Sequence, residues 1–393
     1  MKRFYLLILV LILALPMTAL AAAEEQEVFI SLPYHYILLE DGTAEIVRYV
    51  GGGATLNIPD TLDGHPVTSI GDLAFSGRDT LNAVTVPEGI TYIGHYAFSN
   101  CVHIRSITLP RTLTDLGYGA FYRCERLETV DLPDSLTGVG VNPFRCCSKL
   151  RTINVSPDNP VLAVVDGVLF DRAEGALITC PIALGLEEYT IPEGTITLGT
   201  VAFENCRQLR RVVFPDSLQV LGENPFSQCT RLTELVVSPE HPVLTVAGGV
   251  LLNRAEQSVV CCPQGLELEA YDVPEGVTLI DGYAFHDCRS LQRVTLPQGV
   301  ETIGYGAFSG CRGLREINLP EGLGEIMDEG FYDCRSLTAL QLPGSLEAIG
   351  KDAFCIYDSR ERTYKFIPGL TLTAPGGSWA DAWIRDNGLA PED

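Results

Sequence analysis

A phenylalanine returns every 23 residues along this chain, at Phe75, Phe98, Phe121 and Phe144 and again at Phe285, Phe308, Phe331 and Phe354. A unit of that length is too short to enclose its own apolar side chains, so each coil has to be covered by the next and the core becomes a column. The period therefore selects a stacked-repeat solenoid and argues against a globular enzyme fold.

One unit, residues 124–144, shows how a coil is built. Leu127, Val130 and Leu132 fit a short strand with alternate side chains turned inward, closed by Pro133, which cannot continue a ladder. Asp134 and Ser135 turn the chain, Leu136 and Val139 return it to the core, and Gly140 permits a tight bend. The remainder reads Gly-x-x-Ala-Phe in most copies, as at 94–98 and 304–308, and is expected to form at most one helical turn. Three residues beyond the marker ring stand Cys101, Cys124, Cys147, Cys206, Cys229, Cys288, Cys311 and Cys334. Equivalent positions stack, so these eight thiols are expected as an interior ladder of small apolar groups, mostly unpaired. Cys146, Cys180, Cys261, Cys262 and Cys355 fall outside it.

The interval widens twice, to 59 residues, between Phe144 and Phe203 and between Phe226 and Phe285. The same segment is inserted both times, residues 157–181 matching 239–263 at an offset of 82. Val168-Leu169-Phe170 and Ala176-Leu177-Ile178 flank Glu174-Gly175, the pattern of a hairpin, and two such hairpins are expected to project from an even solenoid. Residues 36–39 and 44–49 flank Asp41-Gly42 as a front cap. At the back, Ser378 can cap a helix whose Trp379, Ala382 and Trp383 share a face that lids the last coil. Four parts result: a signal peptide over residues 1–23, an N-terminal cap hairpin over 24–54, a solenoid over 55–368 with insertions near 157–181 and 239–263, and a C-terminal cap over 369–393.

The signal peptide is read from Lys2 and Arg3, the apolar run 4–15, Pro16 and Ala19-Leu20-Ala21. Its apolar run is shorter than a spanning helix needs, and no second long apolar stretch follows, so the expected product is extracellular, without a membrane span, and monomeric. Loss of Lys2 and Arg3 takes the formal charge from −23 to −25, which disfavours nucleic acid as a partner.

Three motifs together resemble the BspA-like leucine-rich repeats of bacterial surface and secreted proteins. They are the strand ending in Leu-Pro or Ile-Pro, the Ile-Gly-x-x-Ala-Phe-x-x-Cys segment as at 93–101, and the Asn-Pro to Asp-Gly-Val-Leu-Phe insertion at 159–170. The resemblance implies a leucine-rich repeat solenoid: a β-rich right-handed superhelix with a parallel sheet, short helical turns, the two hairpins and end caps. It further implies adhesion or binding through a broad surface, and it carries over no catalytic residue. Departures lie at Asp281 and Met327, where other coils have glycine, at Arg78 in place of the ladder cysteine, and at Ala247-Gly248-Gly249 in place of Val165-Asp166-Gly167.

No nucleophile elbow, His-Glu-x-x-His, Walker loop or zinc spacing occurs, and Asp166 and Asp171 lack calcium-loop spacing. No catalytic residue, metal ligand or cofactor is therefore assigned. His95, His103 and His286 fall in repeat turns, where solvent exposure is expected. Basic residues cluster between the ladder cysteine and the strand, and Arg105, Arg126, Arg151, Arg210, Arg211, Arg293 and Arg315 form the candidate binding edge. Glu88, Asp134, Glu193, Asp216, Glu275 and Glu321 follow the strand-ending proline and form an opposite, acidic edge. Two readings stay open. The arginines could hold an extracellular protein or glycan, or they could pair with acids on neighbouring coils in a passive structural surface protein. A hydrolase without a recognisable site ranks below both.

Overall fold

The computed structural model describes residues 27–389, so the expected signal peptide lies outside the described residues. Each coil contributes one rung to each of two parallel ladders. The first ladder takes the strands that end before proline: thirteen run from Thr55–Asn57 to Thr371–Thr373. Where both neighbours follow the plain repeat, the register is one period, as in Thr129↔Thr152, Val130↔Ile153 and Asp131↔Asn154. In Ser106–Thr108, Glu188–Thr190 and Arg293–Thr295 only the central residue is buried, so one face of this ladder meets the column and the other is open. The second ladder was not anticipated. It is made of two-residue strands such as Tyr92–Ile93, Asp115–Leu116 and Gly138–Val139, paired in parallel.

Glycine explains how close these second rungs come. A Cβ on Gly117 would lie 2.6 Å from the carbonyl carbon of Gly94 and from the amide nitrogen of His95, and one on Gly140 would lie 2.5 Å from the amide nitrogen of Tyr118. Backbone meets backbone there, and no side chain fits.

The Gly-x-x-Ala-Phe segment is not a helical turn. Ala97 and Ser99 donate to the carbonyls of Gly94 and Tyr96, but Tyr96 and Asn100 are left-handed, at φ 55° and 57°, which breaks any helical path into successive turns. The amide of each marker phenylalanine donates to the next coil, Phe75 to Ala97 and Phe98 to Ala120, both at 2.8 Å. The rings then stack nearly parallel, Phe75 on Phe98 at 4.9 Å and Phe121 on Phe144 at 5.6 Å between centroids. The stack comes in three runs, each opened by a tyrosine: Tyr49 on Phe75, Tyr189 on Phe203 and Tyr271 on Phe285.

The inserted segments do not project. Leu162–Val165, Val168–Asp171 and Ala176–Thr179 pair antiparallel in sequence, and the last strand then runs parallel to Thr197–Leu198 in the second ladder. Leu162, Val168, Leu169 and Leu177 are fully buried, and all four residues of Val250–Asn253 and of Ser258–Cys261 are buried in the second copy. Residues apolar on both faces belong inside, so each insertion is a coil of the column rather than an appendage. A hairpin that does stand in solvent lies elsewhere: Cys355–Asp358 pairs with Thr363–Phe366, leaving Tyr357 and Tyr364 exposed.

At the front, Tyr34–Leu38 and Ala44–Tyr49 pair antiparallel around Asp41-Gly42, and the second of them runs parallel to His65–Ile70, beginning the second ladder. At the back, the Ser378 hydroxyl accepts from the Asp381 N–H and starts the helix Trp379–Asp386. Its inward residues are Ala380 and Ile384, one turn apart, with Trp383 edge-on to Phe354. Trp379 and Ala382, expected on the lid face, are exposed instead.

Candidate binding surface

All seven candidate arginines stand at the start of the first ladder; six are exposed and Arg211 is half-buried. The coils do not leave them as an uninterrupted basic row. Arg105, Glu128 and Arg151 follow one another at a spacing of 23 residues. Arg211 lies in register between Glu188 and Glu234, and Arg293 between Ala270 and Glu316. Arg210 approaches Glu187 at 4.0 Å, while Arg211 reaches Glu188 at 3.8 Å and Glu234 at 3.2 Å. Arg105, Arg126, Arg151, Arg293 and Arg315 make no ion pair among the described residues. Exposed pairs of this kind contribute about 0.2–1 kcal/mol each, so they set alignment more than stability.

The six acids of the opposite edge are all exposed. Two have a local task, Glu88 accepting from the Arg111 N–H and Glu321 from the Gly344 N–H, each one coil further on. Between the two edges the open face carries small polar side chains: Ser106 and Thr108, Thr129 and Asp131, and Thr152 and Asn154 all point outward.

Across the first insertion, coils 59 residues apart in sequence touch directly. The Arg145 guanidinium grips the Glu204 carboxylate with two bonds, Nε to Oε2 at 2.7 Å and Nη2 to Oε1 at 2.9 Å, and donates a third to the Tyr118 hydroxyl. Asn142 Nδ2 donates to the Val201 carbonyl, and its Oδ1 accepts from Thr179. At the second insertion Asn224 repeats the first contact on Tyr283, but Ser227 and His286 replace Arg145 and Glu204. His286 is therefore not solvent-exposed as expected: its Nδ1 is buried without a hydrogen-bond partner, and burial holds its pKa below the usual histidine value, with Asp287 opposing.

The 82-residue offset exposes a second exchange. Asn159 Oδ1 accepts from the Val161 and Leu162 N–H groups while its Nδ2 donates to the Pro133 and Leu136 carbonyls. His241 stands in its place, accepting at Nδ1 from Val243 and Leu244 and bonded through Nε2 to the Pro215 carbonyl.

A third exchange titrates. Ala176 and Gly199 of the first insertion become Ser258 and Asp281 in the second, with Ser258 Oγ donating to Asp281 Oδ2 at 2.9 Å. Burial, with smaller contributions from Glu256 and Glu223 and against the Ser258 hydrogen bond, pushes the Asp281 carboxyl up to about 7. The folded chain thus holds this proton up to about pH 7, whereas the unfolded chain releases it near 3.8. The contribution to stability is complete below 3.8, falls as pH rises and is gone above 7. Urea midpoints at pH 5 and pH 8 should differ by a loss on the order of 2 kcal/mol at the higher pH, and Asp281→Gly combined with Ser258→Ala should remove that slope. An unchanged slope in the double variant would place the titration elsewhere.

Among the described residues, no group of three or more His, Cys, Asp or Glu side chains is disposed to hold a metal ion, and no helix is long and apolar enough to cross a membrane. The BspA type leucine rich repeat region is matched in six copies, over residues 55–163, 183–245 and 261–365. The chain belongs to this family. Among solved structures, a leucine rich cell surface protein from Faecalibacterium prausnitzii is 24% identical, with 75% of this chain and 95% of that one covered at a TM-score of 0.48. A leucine-rich repeat protein from Eubacterium ventriosum is 21% identical, covering 75% and 91% at 0.47, and the pneumococcal vaccine antigen PcpA is 18% identical, covering 92% and 96% at 0.42. No curated protein matches. Within this BspA type chain the leucine-rich repeat solenoid is the scaffold, and the fold does not by itself fix what its outward residues do.

Proposed function

We propose that this BspA type protein is an exported, non-catalytic binding module that holds an extracellular protein or glycan against the open face of its first ladder. The observation that carries the reading is the one-sided exposure of that ladder, with small polar residues outward on coil after coil and arginines at one margin. Small hydroxyl and amide side chains lose little rotamer freedom when covered and present donors and acceptors at a fixed spacing. Arg105, Arg126, Arg151, Arg293 and Arg315, which make no ion pair among the described residues, are the groups free to meet an acidic partner. Family membership supports a surface-interaction role.

The test is capture of partners from an array of matrix proteins and of acidic and neutral glycans, at low and at physiological salt. Replacing those five arginines by glutamine should abolish a salt-sensitive capture while leaving the unfolding midpoint in place. Capture that survives the replacement sinks the arginine margin as the contact. A second reading, a passive surface protein, draws on the pairing of Arg210 and Arg211 with Glu187, Glu188 and Glu234, and silence across the array would favour it.

A further inference from the structure

In six coils the ladder thiol donates to the carbonyl of the phenylalanine 26 residues before it, as Cys101 does to Phe75 at 3.1 Å and Cys311 to Phe285 at 3.0 Å. The other two ladder thiols, Cys206 and Cys288, directly follow the insertions. Counting back 26 residues from them reaches Cys180 and Cys262. These occupy the phenylalanine place in the inserted coils: Cys180 N–H donates to the Ala202 carbonyl and Cys262 N–H to that of Ala284, both at 2.7 Å, as Phe75 donates to Ala97 and Phe285 to Ala307. A thiol therefore stands where a ring would be, facing the thiol of the next coil. Cys288 Sγ lies 3.7 Å from the Cys262 carbonyl, the same reach that the other six ladder thiols make to a phenylalanine carbonyl, and the one-coil register sets Cys206 against Cys180 in the same way. All four are buried, and all thirteen cysteines are free thiols in this structure.

We propose that Cys180 with Cys206, and Cys262 with Cys288, are oxidation sites, each closing into a disulfide that ties an inserted coil to the coil after it, while the other nine cysteines remain thiols. The reaction is thiol–disulfide exchange with an external disulfide, either a small molecule such as glutathione disulfide or a dithiol–disulfide oxidoreductase. One protein thiolate attacks the external disulfide and expels the first external thiolate; the second attacks the protein sulfur of the resulting mixed disulfide and expels the other, so two external thiols leave with the two electrons and two protons. The neighbouring thiol, then burial, holds Cys206 and Cys288 well above the ordinary thiol range, so thiolate is scarce once the column is closed. Exchange accordingly belongs to the folding chain, before these coils are covered. Vicinal Cys261 is engaged elsewhere, its Sγ 3.6 Å from Asn224 Oδ1, in the role Thr179 plays on Asn142.

The chain, unfolded and reduced, is refolded in a glutathione redox buffer, quenched in acid, alkylated under denaturing conditions and mapped by mass spectrometry. A chain that does not refold is produced by export into an oxidising compartment and mapped the same way. Two linked peptide pairs, 180–206 and 262–288, with nine alkylated cysteines, are expected. Thirteen alkylated cysteines, or links along the ladder such as Cys101 to Cys124, overturn the proposal. Adding reductant to the oxidised protein should lower its melting temperature, and the variant C180S/C206S/C262S/C288S should not respond. A reductant effect that persists in that variant also overturns it.

Discussion

Phe308→Ala should cost about 3–5 kcal/mol of unfolding free energy, the range for deleting a fully buried aromatic ring. Phe308 has no exposed surface and lies between Phe285 at 5.1 Å and Phe331 at 5.3 Å, with interplanar angles of 6° and 5°. The void cannot collapse by moving one neighbour, because each neighbouring ring is pinned to a coil whose spacing is set by the two ladders and by the phenylalanine amide hydrogen bond. Phe308→Leu, which refills most of the volume, should cost less. Denaturant titration followed by circular dichroism decides the matter. A loss below about 1 kcal/mol for the alanine variant would mean that the ladders hold the coils and the rings merely fill space.

Gly117→Ala comes next, at about 3 kcal/mol, the upper end of what an added methyl does in a packed site. The new Cβ would meet the Gly94 carbonyl carbon and the His95 amide nitrogen at 2.6 Å, and neither atom is the end of a flexible side chain. Relief requires two coils to separate, which stretches the second ladder at Asp115–Leu116. Gly324→Ala is the matched control. There the nearest atom to a Cβ is the Glu301 carbonyl oxygen at 3.8 Å, and stability should hardly change. Equal losses in both variants would show that the close approach does not govern Gly117, since the backbone-entropy effect of replacing glycine by alanine is itself stabilising.

The two insertions show what the sequence carried and what it did not. Period and offset were sufficient for the repeat, its strand and its two long intervals, because identical coils leave identical spacing. The burial of Val168–Asp171 and Ala176–Thr179 was readable in principle, since Val168-Leu169-Phe170 is apolar on both faces of a strand, which a solvent-facing hairpin does not tolerate. The second ladder was not, because a two-residue rung is below the length at which alternation can be seen. Arg145 and Glu204 were invisible for another reason: their pairing occurs once, and the 82-residue copy has Ser227 and His286, so no periodic signal marks it. The seven arginines fall beside the strands of the first ladder, but their alternation with Glu128, Glu188 and Glu234 follows only when rows are read across coils. Trp379 misled because a helix face drawn from tryptophan spacing competes with one drawn from Ala380 and Ile384, and the smaller pair packs closer to the last coil.

The bridges over the insertions set an upper limit on distance along the chain. Among the described residues, no side-chain hydrogen bond joins partners more than 59 residues apart, in a chain of 393. Every other side-chain tie stays within a coil or reaches the neighbouring one. Contact order is therefore low for a protein whose regular elements are almost all strands, and loop-closure entropy is met in small equal steps rather than in one long search. A chain delivered N-terminus first, from a ribosome or through a membrane pore, can lay each coil on the last as it emerges, waiting only twice, for the two wide intervals to be completed.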